Sequence, residues 1–169
     1  LKGIELSDSL VIDPHKGLFL PFGTGMILIK DAKKMLAAHH FTGTYFQDID
    51  FKKGEYSPAD VSVELSRPFR GLKLWVALQL NGVGTFRACL EEKLLLAKYF
   101  CDELGKIEGI ELGTYPDLSI VTYRYIPKNS NLSLDQINTW NKKLNTAINT
   151  DGRIFVSSTN LNGKFMLRT

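Results

Sequence analysis

The sequence predicts an α/β chain followed by a smaller α+β lobe. Short apolar strands break at Asp13-Pro14-His15-Lys16-Gly17, and a long amphipathic helical pattern fills the middle of the chain. From Ile110 onward the order is strand, strand, helix, strand, strand, the pattern of an antiparallel sheet covered by helices. The natural boundary between the two parts lies at Gly82 to Gly84.

Leu10 to Ile12 is short, β-branched and apolar, which suits a strand buried on both faces. Pro14 stops it and biases Asp13 toward extended backbone. His15 and Lys16 then sit at the tip of that strand, with Gly17 supplying backbone freedom behind them. A lysine held against apolar sequence is disfavoured in its charged form, which leaves its amine more available to carbonyl carbons. Gly25 to Lys30 is the neighbouring strand, close enough for antiparallel pairing within a larger mixed sheet. Asp31 can cap a short helix over Ala32 to Ala38. His39 and His40 lead into a long polar and aromatic loop, Phe41 to Tyr56, of the length that often serves as a lid. Adjacent histidines point in different directions and no third ligand stands at metal spacing, so no metal is expected.

Arg70 to Gly82 places Leu72, Trp75, Val76 and Leu78 to Leu80 at helical intervals. Gly82 and Gly84 interrupt the pattern. Phe86 to Leu104 resumes it, with Leu90, Leu94, Ala97 and Cys101 on one stripe. Ile110 to Leu112 and Leu118 to Tyr125 are strands. Ser133 to Asn149 is an amphipathic helix using Leu134, Ile137, Trp140 and Leu144 or Ala147-Ile148. Ile154 to Ser157 and Lys164 to Arg168 close the sheet. Asn131-Leu132-Ser133 matches a glycosylation acceptor, but Ser133-Leu134-Asp135-Gln136 is also a capping box, and the capping reading is preferred.

The 169 residues, 44% of them hydrophobic, can bury a sizeable core. With 21 basic against 18 acidic residues, scattered along the chain, no nucleic-acid face stands out. No apolar run approaches the roughly 18 residues that a bilayer span needs. Cys89 and Cys101 fall twelve residues apart on one helix, about 18 Å, too far to bridge. Reduced thiols and a cytoplasmic setting fit that spacing. The opening at Leu1-Lys2-Gly3 and the close at Met166-Leu167-Arg168-Thr169 suggest an internal piece of a longer protein.

Asp13-Pro14-His15-Lys16, followed by Leu18-Phe19-Leu20-Pro21-Phe22-Gly23-Thr24-Gly25, resembles the Schiff-base segment of the group II pyridoxal-phosphate decarboxylases. That family includes the aromatic-L-amino-acid, glutamate and 2,4-diaminobutyrate decarboxylases. The resemblance continues through Tyr45, Ser66-Arg67-Pro68-Phe69-Arg70-Gly71-Leu72-Lys73-Leu74-Trp75 and Phe165-Met166-Leu167-Arg168, and so spans the chain. It implies an aspartate-aminotransferase-like fold: residues 1–82 from the large cofactor-binding domain and 83–169 a small α+β domain. It also implies a homodimer, pyridoxal 5′-phosphate as cofactor, and loss of CO₂ from an L-amino acid to give an amine.

Under that resemblance Lys16 carries the cofactor as a Schiff base, and the cofactor accepts the electrons left by CO₂. His15 lies beside the cofactor and can hydrogen-bond its phosphate. Tyr45, on the loop that serves the partner subunit's site, is the general acid that returns a proton to Cα. Ser66 stands where relatives, often with glycine, bring backbone toward the phosphate of the opposite subunit. Arg67 and Arg70 can bind an anion or form structural salt bridges. Arg168 is placed near the substrate carboxylate, for which a bidentate guanidinium is suited. The upstream phosphate cradle, the ring-stacking residue and the partner of the pyridine nitrogen are absent from these residues, so the piece alone is expected to be inactive. Another lyase of the same fold, of the sphingosine-phosphate lyase type, and a silent paralogue acting as a dimer partner are the alternatives.

Overall fold

The computed structural model describes residues 2–39, 57–128 and 131–169. The chain forms two units, Leu1–Phe86 and Arg87–Thr169.

In the first unit, β1 (Ser9–Ile12) runs antiparallel to β2 (Met26–Ile29), with Ser9 opposite Ile29 and Ile12 opposite Met26. The expected pairing is present. The expected burial on both faces is not, because among the described residues the sheet has two strands and Val11 remains 68% exposed. A two-stranded ribbon cannot cover both rows of its own side chains. Between the strands, α1 (Pro14–Gly17) is a single helical turn that starts with proline, whose missing N–H costs nothing at that position. Pro14 is fully buried, and its carbonyl accepts the N–H of buried Leu20 at 3.2 Å. The backbone freedom expected of Gly17 is used two residues later, where Phe19 takes φ 55°. α2 (Ala32–His39) starts as expected, with the Lys33 N–H donating to Asp31 Oδ1 at 3.0 Å.

α3 (Gly71–Gly105) is broken at Gly82, which has φ 72° and ψ 156°. That backbone is open to glycine and strained for any L side chain. The interruption falls where the sequence places it.

The second unit is a four-stranded antiparallel sheet in the order β3 (Ile110–Leu112), β4 (Thr122–Tyr125), β6 (Lys164–Arg168), β5 (Ser157–Leu161). Its core joins Ala97, Cys101 and Leu104 of α3 to Val121, Tyr123, Val156 and Leu167. Leu144 and Ile148 of α4 (Leu134–Asp151) pack against the same cluster. The Ser133 hydroxyl accepts from Gln136 N–H at 3.3 Å and Gln136 Oε1 accepts from Ser133 N–H at 2.8 Å, so the capping box forms. Trp140, expected inside, is exposed, and the buried position on that turn is Asn141. Asn141 Oδ1 accepts from Tyr125 N–H and its Nδ2 donates to Tyr125 O, both at 2.8 Å.

β5 begins at Ser157 rather than at the expected Ile154. The Val156 N–H donates to Asn149 Oδ1 at 2.8 Å, and its carbonyl accepts from Asn145 and Asn149 at 2.8 and 2.9 Å. Side chains of α4 therefore satisfy backbone that a strand would otherwise pair. β4 likewise starts at Thr122, later than the expected Leu118. Cys89 and Cys101 are both free thiols. Among the described residues no helix is long and apolar enough to cross a membrane.

Candidate active site

The turn after β1 brings His15, Lys16, Asp13 and Thr24 together. His15 Nδ1 lies 2.7 Å from the Thr24 carbonyl oxygen. A carbonyl only accepts, so Nδ1 carries a hydrogen, and Nε2 is the ring edge left for a ligand. Thr24 is itself buried, its hydroxyl donating to the Pro21 carbonyl at 3.1 Å. Phe22 meets the His15 ring edge-on, with centroids 5.1 Å apart and planes at 69°. The imidazole is thus fixed by one hydrogen bond and one ring contact. Lys73 of α3 ties the same segment down by donating to the Phe22 carbonyl at 3.0 Å.

Lys16 stands on the outer side of this turn. Its side chain is 70% exposed, and Nζ donates to Asp13 Oδ2 at 2.6 Å. The apolar surroundings inferred from the flanking sequence do not enclose it. Its carbon chain leaves a one-turn helix beside a two-stranded ribbon, and no layer covers that side among the described residues. The Lys16 amine, hydrogen-bonded to Asp13, holds the Asp13 carboxyl below its usual range, and the charge of His15 adds to this. The Asp13 partnership was not anticipated, although an acid three residues before a base is a visible signal once a helical turn joins them. Buried Thr24 was missed too, because the small residues around it (Gly23 and Gly25) resemble any loop.

Ser66 is exposed in the segment before α3. Arg67 donates to Ser62 Oγ and to the Glu64 carbonyl. Arg70 grips the Glu64 carboxylate with two bonds, 2.5 and 3.0 Å. The hydrogen bonds from Arg70 hold the Glu64 carboxyl below its usual range, and the same bonds raise the Arg70 guanidinium. Both arginines are engaged with their own loop, Arg70 through a salt bridge to Glu64 and Arg67 through hydrogen bonds to a hydroxyl and a carbonyl. Arg168 ends β6 in the second unit, exposed, with its NH1 group 3.5 Å from Ser157 Oγ. Tyr45 and His40 lie outside the described residues. Among the described residues no three His, Cys, Asp or Glu side chains converge on a metal-sized site.

Comparison with known proteins gives these residues a context. Residues 1–126 match the pyridoxal-dependent decarboxylase conserved domain. The aromatic-L-amino-acid decarboxylase of Bacillus atrophaeus is 37% identical over 99% of this chain and 35% of its own length. Tyrosine decarboxylase 2 of Arabidopsis thaliana is 34% identical over 99% of this chain and 31% of its own. The chain therefore spans about a third of the length of these curated relatives. Among solved structures, Catharanthus roseus tryptophan decarboxylase in complex with L-tryptophan superposes with a TM-score of 0.83 at 28% identity, covering 99% of this chain and 35% of that one. The Oryza sativa TDC with PLP and tryptamine gives 0.90 at 24% identity over the same shares, a likeness of fold. The fold is α/β, of the aspartate-aminotransferase-like kind. The matched domain and the relatives together show that the chain belongs to the pyridoxal-dependent decarboxylase family, whose cofactor is pyridoxal 5′-phosphate.

Proposed function

We propose that the protein to which these residues belong removes CO₂ from an L-amino acid with pyridoxal phosphate held on Lys16. The observation that carries this is the amine itself: solvent-accessible, on a turn pinned by buried Pro14, within a chain that matches the decarboxylase domain. The residues present fit the cofactor. A primary amine open to an aldehyde and an imidazole whose Nε2 makes no hydrogen bond among the described residues stand on consecutive positions, and the exposed ion pair on Nζ is exchangeable. When bound, pyridoxal phosphate supplies the sink for the electrons released as CO₂ departs.

The chain's own residues would divide the remaining work. Lys16 Nζ would anchor the cofactor, and His15, its Nδ1–H held by the Thr24 carbonyl, would donate to the phosphate from Nε2–H in its imidazolium form. Arg168 binds the substrate carboxylate, and the Tyr45 hydroxyl donates a proton to Cα once CO₂ has left. Ser66 and the Tyr45 loop would serve the partner subunit in a homodimer with its site at the interface. Residues 1–82 would then be cofactor-binding domain and 83–169 the small domain. The named relatives act on aromatic amino acids in several cases, which favours an aromatic L-amino acid as substrate. Two free thiols suit a reducing cytoplasmic setting.

Borohydride reduction after incubation with pyridoxal phosphate, followed by peptide mapping, tests the assignment. A pyridoxyl group on the Lys16 peptide, lost in Lys16→Ala, supports it. Label spread over other lysines and unchanged in Lys16→Ala overturns it.

A further inference from the structure

β5 is an edge strand of the second unit's sheet, and among the described residues no strand pairs with its outer side. The register fixes which of its backbone groups are free. Val121 and Thr169 each donate N–H to the other's carbonyl, at 2.8 and 3.0 Å. Alternation along that strand turns the backbone groups of Thr169, Leu167 and Phe165 toward β4, and those of Arg168, Met166 and Lys164 toward β5. Their partners Ser157, Thr159 and Leu161 face inward, so the N–H and C=O groups of Ser158 and Asn160 face out. Both residues are exposed.

The chain itself limits this edge. Before Ser157, the Val156 backbone is held by Asn145 and Asn149. After Leu161 the chain turns at Asn162 and Gly163, both at positive φ. Edge strands are ordinarily guarded by charge, proline or a bulge. β3, the other edge, is three residues long with Glu111 at its centre. β5 is Ser-Ser-Thr-Asn-Leu, free of charge and proline, and its pairing with β6 runs without a bulge.

The free groups are self-complementary. Two copies of β5 laid antiparallel about a two-fold axis at Thr159 set each Ser158 opposite the partner's Asn160, and every outward N–H meets a carbonyl. An axis at Ser158 would need the Val156 backbone, and one at Asn160 would need the turn residue Asn162. The same register carries Phe155, 81% exposed, to the tip of the partner's hairpin, where apolar surface is covered as the strands join.

We infer that β5 is a docking edge for a second copy of this chain, the two four-stranded sheets joining into one across a two-fold axis at Thr159. An isologous contact of this kind closes with two copies. It uses neither Lys16 nor the interface proposed for the cofactor site, and it stands independently of that reading.

Sedimentation equilibrium of the 169-residue chain, from about 1 μM to about 1 mM, should show a monomer–dimer equilibrium, the range expected of a small contact. Ser158→Pro deletes one outward N–H per copy, half of the new hydrogen bonds, and leaves the β6 ladder intact. It should raise the dissociation constant about tenfold or more. Under mild oxidation Thr159→Cys should form a disulfide with its own copy, because a directly opposed pair of this type has Cα atoms about 4.5 Å apart. Leu161→Cys should not, its two copies lying about 13 Å apart across the axis. Peptide mapping distinguishes the 159–159 link from any involving Cys89 or Cys101. A monomer at every concentration leaves the edge to some other chain and overturns the inference. So does a dimer indifferent to Ser158→Pro, or Leu161→Cys linking as readily as Thr159→Cys.

Discussion

Glu111 of β3 holds two cations at once. Arg124 donates to its Oε2 through Nε and NH2 at 3.0 and 2.7 Å, and Lys164 Nζ donates to Oε1 at 2.6 Å. The Arg124 side chain is almost wholly buried, and its NH1 group has no hydrogen-bond partner among the described residues. Burial pushes the Glu111 carboxyl up, but the hydrogen bonds from Lys164 and Arg124 outweigh it and the net direction is down. A carboxylate whose folded value is depressed stabilises the fold fully above its ordinary value and loses that contribution as pH falls through the folded one. Unfolding midpoints measured from pH 7 to pH 3 should therefore fall for the parent. Glu111→Gln should cost on the order of 2 kcal/mol at pH 7 and flatten that acid limb. An acid limb identical in parent and variant would contradict this account. None of this cluster was foreseen from the sequence, because its members are joined only by strand register. By contrast the turn at Asp13-Pro14-His15-Lys16 was legible, since proline, strand end and lysine are neighbours in the chain. Its Asp13–Lys16 pair was not, because the sequence gives no periodic signal for a helix of one turn.

At the scale of elements, the break in α3 and the late start of β5 have opposite lessons. Gly82 announces its own backbone: a positive φ with extended ψ is available to glycine and to little else. No heavy atom stands within 4 Å of where a Cβ would be built there, so substitution meets backbone strain and no clash. Gly82→Ala should accordingly lower stability by about 1–2 kcal/mol, read from urea midpoints, with the helical circular-dichroism signal retained. A neutral or stabilising result would mean that α3 straightens freely. The start of β5 had no such marker. Ile154-Phe155-Val156 has the composition of a strand, yet Asn145 and Asn149 reach across from α4 and take the Val156 backbone groups. Tertiary side-chain competition of this kind overrides local propensity. The same cause put Asn141, and not Trp140, on the buried side of α4.

At the scale of the molecule, the chain carries Lys16 and the small sheet while spanning about a third of its relatives' length. Decarboxylation needs water kept from the reacting carbon. Lys16, 70% exposed, stands in water in these 169 residues. Release of CO₂ from a panel of aromatic, acidic and diamino L-amino acids, with pyridoxal phosphate added, should stay at the background rate. Turnover above it would show that the residues here suffice for catalysis. The most direct test of the central claim remains the chemistry of one nitrogen. After incubation with pyridoxal phosphate and reduction, the account predicts a pyridoxyl adduct concentrated on the peptide containing Lys16 and absent in Lys16→Ala. An adduct distributed over the surface lysines, with Lys16 no richer than the others, would contradict it.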